Sequence, residues 1–180
     1  MQAIAEKYYQ EQKECAGFDN AEKYAEADAA CQKALATANQ LTDSLYDDER
    51  LFAYHFVSHV AYKLNRGTEA LEDAREEIKF VGDATPLRNV VISRLDLARA
   101  YDLSGQPTEA EAEYQNAEKR LAAWKQESQG YEKVDDQERK KSRAEDFARA
   151  TTAIREGHVN VLCKLHRDAE ADALEKAAKD

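Results

Sequence analysis

VISRLDLARAYDLSGQPTEAEAEYQNAEKRLAAW, residues 91–124, reads as two helices folded back on one another. Ser104-Gly105-Gln106-Pro107 interrupts the stretch near its middle, and glycine followed by proline two residues on is a turn signal. On one side stand Leu97, Ala98 and Tyr101. On the other, Ala110, Tyr114, Ala117, Leu121 and Trp124 recur at helical spacing. Thr108, with Glu111 three residues on, has the form of a capping box and is expected to start the second helix. Ala98 and Ala110 mark where the two helices should cross, because larger side chains there would hold the axes apart. Tyr101 and Tyr114 would fill the space beyond that crossing.

Working outward, the rest of the chain carries the same helical signature. A first helix is expected over 3–16, stopping near Gly17. A second runs from Asn20, as its cap, to Leu41, with Ala27, Ala30, Cys31, Ala34, Leu35 and Ala38 on one stripe. Residues 43–49 form an acidic connector. A third helix spans Glu49 to Leu64 and should bury Ala53, Phe56, Val57, Val60, Ala61 and Leu64. Asn65-Arg66-Gly67 is a tight turn, Thr68 opens a fourth helix, and a fifth runs from Pro86 to Leu103. Residues 125–145 are almost wholly polar, with helix expected to resume near Val134. Phe147, Ala150, Ile154, Val161, Leu162 and Leu165 mark a long last stripe, and a short helix from Asp168 to Lys179 closes the chain. Strand-type alternation is absent, so the fold class is all-α.

Composition agrees. The 180 residues include only two prolines and six glycines, which suits long regular helices in one domain or one short repeat array. The net charge of −10 disfavours nucleic acid and anionic lipid as partners. No stretch nears the roughly 18 apolar residues of a membrane span, so membrane insertion is not expected. Met1 to Lys7 lacks the basic-then-apolar pattern of a signal segment. The expected compartment is therefore cytoplasmic, or periplasmic or secreted if a signal peptide has been removed.

Leu97, Ala98, Tyr101, Ala110 and Tyr114 fall at the spacings of the tetratricopeptide repeat, although Arg94 stands where tryptophan is usual and Ala122 where proline is. A second unit, 51–84, puts Ser58 and Ala70 at the crossing but has Ala61 where tyrosine is expected, with Tyr62 next. A first unit, about 8–41, matches in its second helix, Tyr24-Ala25-Glu26-Ala27 and Cys31 to Leu35, and has the small Cys15 in its first. A degenerate fourth unit is placed at 147–180. The chain thus resembles a tetratricopeptide repeat protein. The resemblance implies an α-solenoid of about three helix pairs over 1–124, plus a C-terminal helical extension over 125–180. It further implies a concave groove, lined by the first helix of each pair, that takes a peptide or partner helix. The groove positions fall on Phe52, His55, His59, Tyr62 and Lys63 in the second unit. In the third they fall on Ile92, Leu95, Arg99, Asp102 and Leu103. The set lacks the Lys/Asn/Arg cluster with which some members clamp a C-terminal carboxylate. An apolar helix or extended peptide suits it better.

Catalytic and metal chemistry find little support. His55 and His59 share a helix face at a chelating spacing, but Phe56 stands where the metalloprotease pattern needs glutamate, and no third ligand follows in sequence. Cys163 and His166 form a weak pair, with Cys163 expected to pack as a small apolar residue. Cys15 and Cys31 occupy the presumed crossing of the first unit. They are a possible disulfide in an exported protein, or two small core residues otherwise. No glycine-rich phosphate loop and no acid–base pair is present, so no enzyme activity and no cofactor is expected. The expected role is a protein-binding adaptor or scaffold. The alternatives are a structural subunit, homo-oligomeric or otherwise, and a metal-dependent enzyme built on His55 and His59.

Overall fold

The computed structural model describes residues 2–131 and 136–177, which form eight α-helices and no strand. They group into two compact units, one ending at Ala84 and the other beginning at Thr85. The first holds α1 (Gln2–Asn20), α2 (Tyr24–Ala38), α3 (Asp47–Lys63) and α4 (Gly67–Lys79), with a short 3-10 turn at Ser44–Tyr46. The second holds α5 (Leu87–Leu103), α6 (Pro107–Tyr131), α7 (Gln137–Lys164) and α8 (Asp168–Lys176). None of the helices is long and apolar enough to cross a membrane.

The helices pair into hairpins, and the four hairpin turns are built alike. Glu22, Asn65, Gly105 and His166 have left-handed φ values of 56°, 60°, 73° and 59°. In each case the next N–H reaches back five residues: Lys23 to the Phe18 carbonyl (3.0 Å), and Arg66 to Ala61, Gln106 to Tyr101 and Arg167 to Leu162 (2.9 Å each). This is the helix stop in which one left-handed residue lets the chain satisfy orphan carbonyls. Five residues past each left-handed residue stands a buried alanine: Ala27, Ala70, Ala110 and Ala171. A side chain without bulk at that point lets the second helix of each hairpin close on the first. In the second hairpin of the first unit, Ser58 Oγ donates to the Ala70 carbonyl at 3.1 Å, so the hydroxyl is satisfied inside the crossing.

Apolar stripes fix each unit. In the first, Tyr8 and Cys15 of α1 meet Ala27, Cys31, Ala34 and Ala38 of α2 and Ala53, Val57 and Val60 of α3. The connector after α2 is pinned by Arg50, whose guanidinium donates to the carbonyls of Leu41 (2.6 Å) and Asp43 (3.2 Å). Asp47, Asp48 and Glu49 lie in the first turn of α3, where the helix dipole favours them. In the second unit Val91, Leu95 and Ala98 of α5 pack with Ala110, Tyr114, Leu121 and Trp124 of α6 and Ala150, Ile154 and Val161 of α7. Arg94, where tryptophan was the expected type, donates instead to Glu113 of α6 at 2.9 Å.

Several sequence expectations are corrected. Helix α1 runs through Gly17 and Asn20, so Asn20 ends α1 rather than capping α2, whose N-cap is Lys23. Thr108 is not the cap of α6: the Gln106 carbonyl already accepts from Ala110 N–H (3.0 Å). Pro107 takes the first helical position, where its missing N–H costs nothing. The polar stretch from 125 continues α6 as far as Tyr131, and Asp136 caps α7 by accepting from Arg139 N–H at 2.9 Å. The expected restart at Val134, and Lys179, lie outside the described residues. Cys163 is exposed, not packed as a small apolar residue. In the last hairpin the buried Ala171 stands where Ala27, Ala70 and Ala110 stand in the other three, about five residues later than a unit beginning at 147 would put it.

Candidate binding face

In the first unit, α1 and α3 lie side by side and parallel. Tyr9 Oη donates to the Glu49 carboxylate, and Tyr8 Oη donates to the Glu49 carbonyl at 2.9 Å. Ten residues further along both helices, His59 Nε2 lies 3.6 Å from Asp19 Oδ1. Tyr9 to Glu49 and Asp19 to His59 share one offset of 40 residues, which only parallel helices in fixed register can keep.

Phe52, His55, His59 and Tyr62 of α3 are all half-buried, while Lys63 is exposed with its Nζ 5.7 Å from the centre of the Tyr24 ring. The His55 ring lies 5.4 Å from that of Phe56 and 6.1 Å from that of His59, centre to centre. Tyr9 is 50% exposed. Leu45, in the 3-10 turn, is the other large apolar residue that stands in solvent among the described ones. The hydrogen bond to Glu49, then desolvation and the Glu49 charge, push the Tyr9 hydroxyl up to about 12. Burial, followed by the same carboxylate, pushes Tyr8 higher still. Both phenols therefore stay neutral and act as donors at physiological pH. Tyr9 and Asp19 were missed in the sequence because the first unit fits the repeat pattern only in its second helix. The signal that reveals them is the register between α1 and α3.

The second unit treats its expected groove residues differently. Leu95 is 6% exposed and belongs to the core, packed among Val91, Ala98, Ala110 and Tyr114, so its side chain does not line an open surface. This corrects the sequence assignment. An α5 buried on two sides, against α6 and α7, turns Leu95 inward. Asp102 accepts from Lys164 Nζ at 2.6 Å and from Asn160 Nδ2 at 3.0 Å, both on α7. Arg88 donates to Asp146 at 2.9 Å. Arg88 to Asp146 and Asp102 to Asn160 share an offset of 58 residues, so α7 lies parallel to α5 as α3 does to α1. Burial raises the Asp146 carboxyl, but hydrogen bonds and charge from Arg149 and Arg88 outweigh it and hold the group below the usual range. Ile92 and Leu103 are half-buried, and Arg99 is held 3.8 Å from Asp96. The ten positions thus form no single class. Those on α3 are four half-buried aromatic rings and an exposed lysine, and those on α5 are partly consumed by packing and by pairing with α7.

Cys15 and Cys31 are joined by a disulfide that ties α1 to α2, with their Cα atoms 4.8 Å apart. A scan against protein-family models finds none that matches, and a search among curated proteins finds no similar sequence.

Proposed function

We propose that this protein is a binding module that holds a segment of another protein against the α1–α3 face of its first unit. The observation that carries the reading is the parallel α1–α3 register, with half-exposed Tyr9 at one end, the Asp19–His59 pair at the other, and half-buried aromatics along α3. Aromatic side chains held on rigid helices make good anchors, because they bury large area at little entropic cost. The four matching turns and their buried alanines support the tetratricopeptide-like reading, in which first helices present the ligand surface. Charge narrows the partner. Up to Ala84 the chain has 9 Lys and Arg against 17 Asp and Glu, a net −8 of the total −10, which steers cationic segments to this unit.

The test compares wild type with the Tyr9→Ala, Phe52→Ala variant as bait in a lysate of the source cell, with captured proteins quantified by mass spectrometry. Loss of two aromatic anchors should weaken a specific partner by about 30-fold or more, with helicity unchanged by circular dichroism. A captured partner held equally well by the variant would refute the α1–α3 face as the site.

A further inference from the structure

We propose that the Cys15–Cys31 bond is the clasp on which the attachment of α1 depends, so that the first unit completes its fold only where thiols are oxidised.

Helix α1 buries a small share of its length. Of its 19 residues, the buried ones are Ala5, Tyr8, Glu11 and Cys15, whereas α5 buries eight of 17. Glu11 adds a liability rather than a hold. Its side chain is 5% exposed, Oε1 lies 3.7 Å from Lys7 and 3.6 Å from Lys33, and its buried Oε2 has no hydrogen-bond partner. A buried carboxylate satisfied on one side only opposes docking. Tyr8 and Tyr9 reach α3 through Glu49, and the disulfide is the covalent link added to the packing of α1 on α2.

The position of the bond suits a clasp. Both cysteines are 1% exposed, inside the close crossing of the first hairpin. At the positions equivalent to Cys15 and Cys31 the next two hairpins carry Ser58 with Ala74 and Ala98 with Tyr114, and they close without a covalent link. The first helices of those hairpins, α3 and α5, bury more apolar residues than α1 does. The bond forms by thiol–disulfide exchange with an oxidised carrier disulfide. One cysteine thiolate attacks the carrier, giving a mixed disulfide and releasing a carrier thiol. The second attacks the protein-bound sulfur and releases the other carrier thiol. Two electrons pass to the carrier, and the two cysteines lose their protons. Because the folded crossing shields both sulfurs, exchange must precede closure, and the finished bond resists thiols in solution. It therefore acts as a staple set during folding, in an oxidising compartment, and not as a rapidly cycling switch.

The test uses the full chain refolded from denaturant in a mixed oxidised and reduced glutathione buffer. Alkylation in denaturant without reductant should label one thiol, Cys163, and three after reduction. Hydrogen exchange then compares this protein with Cys15→Ala, Cys31→Ala, and with wild type reduced in denaturant and refolded under reductant. Freeing a loop of this length should speed exchange of the α1 amides on the order of a hundredfold, while α5 to α7 keep their protection. Three reactive thiols after oxidative refolding would overturn the proposal. So would unchanged protection of α1 in both thiol forms, or loss of protection in the second unit as well, since the bond would then not act on α1.

Discussion

Replacing Gly157 with alanine tests the packing of α7 on α6 by the sign of its effect. A glycine inside a helix costs about 0.5–1 kcal/mol relative to alanine, so an unobstructed Gly→Ala change should stabilise by that amount. Gly17 in α1 is such a site, because a Cβ built there meets nothing within 4 Å. At Gly157 a Cβ would lie 2.6 Å from Tyr114 Cε1, with Cζ and Oη closer still. The Tyr114 ring has little room to retreat. It is 2% exposed, stacks at 6.1 Å on His158, and sits in a core with Ala110, Ala117 and Leu121. His158 is itself fixed by Glu118, 2.8 Å from its Nδ1. Forcing a methyl group into such a contact costs about 1–3 kcal/mol. Subtracting the helix gain leaves Gly157→Ala destabilising by up to about 2.5 kcal/mol, while Gly17→Ala stabilises by up to about 1 kcal/mol. Urea unfolding of both variants reads the two signs directly, and thermal melts should move by about 2–4 °C per kcal/mol. A further Tyr114→Leu change should relieve the clash, so the double variant should be less destabilised than the sum of its parts. If Gly157→Ala stabilises as Gly17→Ala does, the ring of Tyr114 does not cover Gly157 and the α6–α7 packing described above is wrong.

Asp73 carries a pH-dependent penalty. Burial, with added repulsion from Glu69, Glu72, Asp28 and Glu76, pushes its carboxyl up to about 6 from 3.8, so the folded state prefers the proton. Its stabilising contribution is full below pH 3.8 and is lost as pH rises through 6, so Asp73→Asn should raise the melting temperature at pH 7.5. Solvent screening at this partly exposed site limits the gain to about 1 kcal/mol, and the gain should vanish by pH 4. A difference in melting temperature independent of pH would sink the argument. Ala171→Leu should cost about 1–3 kcal/mol by overpacking the last hairpin, whereas Ala169→Leu on the exposed side of the same helix should change stability by less than about 0.5 kcal/mol. Equal melting temperatures for those two would count against the α7–α8 crossing.

Much of the fold was legible where local chemistry decides it. The stripe Ala27, Ala30, Cys31, Ala34, Leu35 and Ala38 is buried as its spacing requires, and the turns at Asn65 and Gly105 fall where left-handed residues are cheap. The turns at Glu22 and His166 were harder to read, because glutamate is uncommon in a left-handed conformation and histidine signals it less sharply than glycine. The same difficulty hid the end of α1 and shifted the last hairpin. Intervals between the four left-handed residues, at 22, 65, 105 and 166, are 43, 40 and 61 residues, so the hairpins do not recur at a fixed period of about 34 and each has to be found from its own turn and buried alanine.

The face was less legible than the fold, because it depends on register between helices that the sequence does not adjoin. Within each unit the first helices run parallel at a constant offset, 40 residues for α1 and α3 and 58 for α5 and α7. The contacts that hold those offsets differ in kind. Along α5 and α7 they are charged and direct, Arg88 with Asp146 and Asp102 with Lys164, each pairing a cation with a carboxylate that is at most 20% exposed. A ligand on that face would have to break such pairs or leave them desolvated, and either is costly. Along α1 and α3 they are a phenol on a carboxylate and an imidazole 3.6 Å from another, with the Tyr9 ring left half in solvent. A ligand can cover that ring without separating an ion pair, and gains apolar burial in doing so. That asymmetry, invisible in a list of repeat positions, favours the first unit over the second for the binding proposed above.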